Sequence, residues 1–296
     1  MADNAPYFVD AHHHQWDLQA CRYPWLMAKG ERRFFGDPSP IQKNYLPSDF
    51  LSESAVYQPA KSVHIQVGVA AGDALRETGW LQSLPRFPHA IVAFCDISSP
   101  GAAAELDAQR QHSRVRGIRQ IIGRHAEEDR KHGSDALLEN PAWIMGLRLL
   151  AERDLSFDLQ MIPPQTDRVL AALCMVPQLR VALCHCGSPW DQSQSGLERW
   201  RIGLRRLAEL PNLVCKVSGL GMFNPHWRPD QLRPIILEVI EIFGPQRVMF
   251  GSNFPVDKLY NSYEALWQAY SEITEGFTLD ERADLFHRTA ERFYRI

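Results

Sequence analysis

Phe8-Val9-Asp10-Ala11-His12-His13-His14-Gln15-Trp16-Asp17 begins as an apolar strand and ends as a cluster of imidazoles. In an extended chain alternate side chains share a face. His12 and His14 therefore point one way and His13 the other. An α/β barrel gathers its chemistry at the C-terminal ends of its strands, so a strand ending in paired imidazoles raises the question of whether more strands of this kind lie further along the chain.

They do. Apolar runs occupy 8–12, 62–67, 91–97, 115–121, 156–161, 180–185, 213–218 and 247–252. Amphipathic stretches between and after them predict helices near 74–84, 102–112, 142–153, 167–174, 197–210, 229–243 and 263–275. Strands alternating with helices argue for a parallel sheet, and eight is the number that closes a barrel. A further helix over 279–293 is expected to pack outside it. The chain carries no internal repeat or linker, so residues 1–296 read as a single (β/α)₈ TIM-barrel domain. Two connections are long, 15–60 and 123–140, and both fall after strands, on the face where barrels keep their active sites.

Composition narrows the function. Lys plus Arg is 32 and Asp plus Glu 35, a net charge of −3, which leaves no basic footprint for nucleic acid. No run approaches the ~18 apolar residues of a membrane span, and 1–10 lacks the pattern of a secretory leader. The six cysteines, Cys21, Cys95, Cys174, Cys184, Cys186 and Cys215, are scattered, and four lie in strand-like runs. They read as free thiols of a cytoplasmic protein. The expected partner is a small molecule.

Polar groups recur where the strands end. In Val181-Ala-Leu-Cys-His-Cys-Gly-Ser-Pro-Trp190, alternation puts Val181, Leu183 and His185 on one face and Ala182, Cys184 and Cys186 on the other. His185 would then face the mouth and both cysteines the helices. Gln66, Asp96, Arg119, Asp158 with Gln160, and Lys216 with Ser218 close other strands. Such residues inside a barrel cost free energy unless paired, so their repetition suggests a shared polar cavity. Arg119 and Lys216 would draw an anionic group into it, or each would pair with Asp96 or Asp158. The eighth strand runs into Gly251-Ser-Asn-Phe-Pro-Val-Asp257, which presents Asn253 and Asp257 at the rim; Asp257 is equally placed to cap the next segment.

Taken in order, these motifs resemble a known family. Asp10-Ala-His-His-His-Gln-Trp-Asp17 with Tyr23-Pro-Trp-Leu26, Val115-Arg-Gly-Ile-Arg-Gln120, Ser156-Phe-Asp-Leu-Gln160, His185-Cys-Gly-Ser-Pro189, Lys216-Val-Ser-Gly-Leu220 and Phe250-Gly-Ser-Asn-Phe-Pro255 are similar to the amidohydrolase-related branch of TIM-barrel hydrolases. That branch contains sugar-acid lactonases and a pyrone-dicarboxylate lactonase. The resemblance implies that His12 and His14 form the first-strand His-x-His and that His185 is the sixth-strand histidine. It implies either one divalent metal, zinc by preference, held by His12, His14 and His185, or none. Asn253 stands where many members have an Asp that takes a proton from water. An amide is no base, which leaves Asp257 as the expected base. His12, His14 and His185 would stabilise the oxyanion, with Arg119, Lys216, Asn253, Gln66, Asp158 and Gln160 around an anionic substrate. The expected reaction is hydrolysis of a sugar-acid or carboxylated lactone. A metal-dependent decarboxylase and a non-catalytic ligand-binding barrel are the alternatives.

Overall fold

Eight parallel strands hydrogen-bond in sequence order: β1 (Val9–His13), β2 (Lys61–Ile65), β3 (Ala90–Ala93), β4 (Val115–Ile121), β5 (Ser156–Gln160), β6 (Val181–Leu183), β7 (Leu213–Val217) and β8 (Val248–Phe250). The ring closes where β1 meets the end of β8. There Asn253 N donates to His12 O at 2.6 Å and His14 N to Phe254 O at 2.7 Å. This is the (β/α)₈ barrel that the alternation predicts. The computed structural model describes residues 7–132 and 134–296. Residues 1–6, part of the stretch read for a leader, and Gly133 in the second long connection lie outside the described residues.

Each strand sorts its side chains by parity. Val9, Ala11, Val63, Ile65, Ala90, Val92, Ala182 and Met249 fill the barrel's interior. Phe157, Leu159, Leu183, Cys215, Val217 and Phe250 face outward into the layer shared with the helices. Helices start where short polar side chains satisfy free backbone N–H groups: Asn140 for Pro141–Glu152, Ser193 for Gln194–Ala208 and Ser262 for Tyr263–Ile273. Each such cap contributes about 1 kcal/mol. Among the described residues no helix is long and apolar enough to cross a membrane.

The structure departs from expectation at the last helix. It forms as Leu279–Ala283, a π turn over Asp284–Arg288, and Thr289–Tyr294. Rather than lying outside the barrel, it places Ala290, Phe293 and Tyr294 against the interior cluster and stops it up from below. Tyr294 reaches in far enough to donate its hydroxyl to both carboxylate oxygens of Asp158, at 3.0 and 2.9 Å.

Both long connections carry short helices. The first holds the helices Pro24–Met27 and Pro47–Glu53, pinned by a bridge between Trp16 and Tyr45. The second holds the helices Ala126–His132 and Ser134–Glu139. They meet over the mouth, where Arg33 pairs with Glu128, Phe34 N donates to the same carboxylate at 3.2 Å, and Phe34 stacks on His125.

Candidate active site

The pair of histidines on β1 reaches the mouth through a bulge that the sequence conceals. Asp10 is in register with Ser62 and His13 with His64, so β1 carries one residue more than β2 between those points. An extra residue flips the parity of every residue beyond it in the strand. Val9 and Ala11 face inward, and beyond the irregularity His12 and His14 face inward too. His13 turns outward, stacking on Phe50 and bonding Ser62 Oγ at 2.9 Å. Gly251 makes room for this, since a Cβ there would lie 2.6 Å from that of His12. Asp10, on the outer face, accepts from Ser252 N at 2.9 Å, Ser252 Oγ at 2.6 Å and Tyr263 OH at 3.0 Å. It thereby ties β1 to the turn that carries Asn253.

His185 also reaches the mouth by a different route from that expected. β6 ends at Leu183, whose side chain faces the helices together with that of Val181. Strict alternation would send His185 the same way. Instead His185 and Cys186 adopt left-handed φ values of 54°, and the turn swings the imidazole back over the barrel. This corrects the expected facing of Cys184, which lies inward beside Arg119, Lys216 and Asp158, whereas Cys186 does face outward. All six thiols are free.

Three imidazoles now stand together. The ring of His12 is 4.6 Å from that of His185 and 5.1 Å from that of His14, centroid to centroid. Burial, reinforced by the neighbouring histidines and by Arg119 and Lys216, holds His12 and His185 well below the usual histidine range. Burial, then Arg119, lowers His14 to about 3. Burial therefore favours the neutral form of each ring. His185 Nδ1 bonds Ser218 Oγ at 2.9 Å, and Nε2 has no hydrogen-bond partner among the described residues. His14 spends both nitrogens, Nδ1 at 2.7 Å from Ile65 O and Nε2 at 3.1 Å from Asn253 Oδ1. His12, fully buried, has no partner for either nitrogen among the described residues.

A cavity of about 1340 Å³ opens above them. His14, His185, Asn253, Arg119, Gln66 and Gln160 line it, six of the residues singled out from the sequence. Arg119 is buried and forms no ion pair among the described residues. Its Nη1 donates to Gln160 Oε1 at 3.2 Å and its Nη2 to Gln66 O, while Nε has no partner. A buried guanidinium held only by neutral acceptors is a ready site for an anion.

Three of the expected residues, Lys216, Asp158 and Asp257, are placed elsewhere. Lys216 does not line the cavity; it is fully buried inside the barrel, its Nζ 2.5 Å from Asp158 Oδ2 and 3.0 Å from Ala11 O. Lys216 and Asp158 thus satisfy each other rather than a substrate, as alternate inward positions on β5 and β7 allow. Asp257 lies behind Asn253, its Oδ2 2.6 Å from Asn253 Nδ2 and its Oδ1 3.1 Å from Gly221 N, and Asn253 screens it from the cavity. Burial pushes this carboxyl up to about 7. Sequence reasoning passed over the outer wall, where Arg33, Phe34, Arg124, His125 and Glu128 line the cavity. The length of the two connections marked this region without naming its residues, and the charge in the second was a further signal.

The side chains do not fit a divalent ion well. A three-histidine site needs three nitrogen lone pairs aimed at one point. His14 has both nitrogens engaged, so only His12 and His185 have nitrogens to offer. Asn253 supplies an amide where a carboxylate would help, and the nearest fixed charges, Arg119 and Lys216, are positive. Among the described residues no three His, Cys, Asp or Glu side chains converge as a metal site.

This barrel, with its mouth of histidines, has relatives. Residues 9–296 match the family model described as Amidohydrolase, and the chain belongs to that family. It is 40% identical over 300 residues to the uncharacterized protein y4mH of Sinorhizobium fredii, covering 100% of each chain. It is 29% identical over 304 residues to an L-fucono-1,5-lactonase of Burkholderia multivorans, covering 97% of this chain and 96% of that one. Among solved structures, an amidohydrolase from Burkholderia multivorans with bound zinc superposes with a TM-score of 0.82 at 26% identity, covering 98% and 99% of the two chains.

Proposed function

We propose that the protein is a hydrolase that opens an anionic lactone by attack of water on the ring carbonyl. The observation that carries this reading is the floor of the cavity: a buried guanidinium without a carboxylate partner beside neutral imidazoles. Arg119 holds a carboxylate of the substrate. His185, with Nδ1–H donated to Ser218 Oγ, keeps a lone pair on Nε2 and takes a proton from water as its oxygen bonds to the carbonyl carbon. The ring C–O bond then breaks, and the imidazolium returns that proton to the departing oxygen. His12 has an N–H to spare for the oxyanion. The lactonase relative, at 29% identity, supports this chemistry without fixing the lactone.

Turnover of a panel of neutral sugar lactones and carboxylated lactones, monitored by proton release and by product analysis, tests the reading. Release of carbon dioxide in place of a hydroxy acid would replace it with decarboxylation. On a substrate that is turned over, Arg119→Ala raises KM for a carboxylated lactone about 10–150-fold, the cost of a lost charge-assisted hydrogen bond, and leaves a neutral lactone much less affected. Equal losses on both would mean that Arg119 supports the fold alone. Because the donor set does not suit a divalent ion, dialysis against a chelator leaves kcat unchanged. A loss of activity that added zinc restores would show that His14 gives up its protein partners for a metal.

A further inference from the structure

His14 poses a problem of hydrogen-bond accounting. Its Nδ1 faces the carbonyl oxygen of Ile65 at 2.7 Å, and its Nε2 faces Asn253 Oδ1 at 3.1 Å. Both oxygens only accept, whereas a neutral imidazole has one N–H. Two arrangements resolve this within the same shape. In one, His14 is an imidazolium and Asp257 a carboxylate that accepts from Asn253 Nδ2. In the other, the Asn253 amide is turned over: Nδ2 donates to a neutral His14, and Oδ1 accepts from a protonated Asp257. The two hold the same number of protons. They differ in where charge sits.

The surroundings favour the neutral arrangement. An imidazolium at His14 would be buried close to Arg119 and Lys216. A carboxylate at Asp257 would be buried with only Asn253 Nδ2 and Gly221 N as donors. Gly221 from the turn after β7 and Tyr260 from its own turn lie beside Asp257, and Tyr270 from the helix Tyr263–Ile273 is close enough to interact with it electrostatically. Tyr260 spends its hydroxyl on Phe35 O, and Tyr270 spends its own on Gly251 O at 3.2 Å and Val217 O at 3.4 Å. No Lys or Arg pairs with Asp257 among the described residues. A pair of opposite charges split by a buried amide has little to offset its desolvation.

We infer that Asp257 is a positioning residue: protonated, it holds Asn253 Oδ1 and so turns Nδ2 toward His14 and the cavity, where the second amide hydrogen meets the oxyanion. The carboxyl is kept neutral so that an amide is aimed. The value of about 7 to which burial brings Asp257 agrees with this state. Below its pKa Asp257 donates and the amide presents N–H to the cavity. Above it the carboxylate draws Nδ2 back, the carbonyl oxygen faces the cavity, and kcat falls. The role in catalysis rests on the hydrolytic reading above, whereas the protonation state does not.

Two measurements on the intact protein test this. The first is infrared spectroscopy near pH 6 without substrate. The difference between the native protein and Asp257→Asn shows a carboxylic-acid carbonyl stretch, which weakens as pH rises through the titration. Absence of that band overturns the inference whatever the substrate proves to be. The second is the pH profile of kcat. In Asp257→Asn the new amide always donates to Asn253 Oδ1, so the alkaline fall disappears. One pH unit above the native titration the variant gains about tenfold relative to the native protein, the weight of one pH unit. Asp257→Leu, which cannot hold the amide, is slow at every pH. A variant Asp257→Asn that is slow throughout, or one that keeps the alkaline fall, sinks the inference; a lactone panel without turnover would instead count against the hydrolytic reading.

Discussion

Replacing His185 by asparagine lowers kcat by about 10²–10⁴-fold, the usual contribution of a general base, on whichever lactone the protein opens best. The size of the effect reflects how few bases the cavity offers. Asn253 has no proton affinity of use, Asp257 is screened behind it, and His14 has both nitrogens occupied. Among the described residues, His185 alone of the three histidines both lines the cavity and keeps a nitrogen without a partner. Asparagine retains a group able to bond Ser218, so the melting temperature, measured on the same preparation, moves little. A variant that keeps near-native kcat would move the base to His12, the other imidazole with free nitrogens. A variant that raises KM alone would make His185 a binding group.

Lys216→Ala is a stability experiment of comparable size. It leaves Asp158 with Tyr294 OH as its donor and, among the described residues, no ion-pair partner, in a barrel interior where both members of the pair are 0% exposed. Stranding one member of a buried ion pair costs about 3–5 kcal/mol. In a domain of this length that lowers the midpoint of thermal unfolding by on the order of 10 °C. Urea unfolding of Lys216→Ala, Asp158→Leu and the variant Lys216→Met with Asp158→Leu resolves the coupling. The paired apolar replacement is expected to recover most of what either single change loses, because no lone charge remains. If Lys216→Ala unfolds at the native midpoint but binds an anionic substrate poorly, the lysine serves the cavity after all.

The barrel was legible because its signals are periodic. Apolar runs such as 156–161 and 213–218 alternate with amphipathic helices, and every strand expected from them exists. The site was legible where a polar residue ends a regular strand, as Arg119 and Gln160 do. It was obscured wherever backbone geometry departs from regularity. The bulge in β1 changes which residues face inward without changing the composition. The left-handed turn at His185 and Cys186 reverses the alternation that had placed Cys184 outside. Lys216 stayed open between an anionic substrate and an acidic partner such as Asp158 for another reason. Strand parity says that a side chain points inward, but not how high up the barrel it sits, and inward groups below the mouth meet one another instead of a substrate. The walls formed by Arg33 and Glu128 were hidden because residues 95 apart in the chain meet only once two long connections have folded.

The bond from Tyr294 to Asp158 joins residues 136 positions apart. Tyr294 thus carries the end of the chain to a polar pair made by β5 and β7, and it covers that pair from below. A barrel whose strands have paired without this helix would leave Lys216 and Asp158 open to water from below. Closure of the interior should then be a late step in folding, and a fragment ending after β8 should carry native strand pairing with an unsealed, hydrated core.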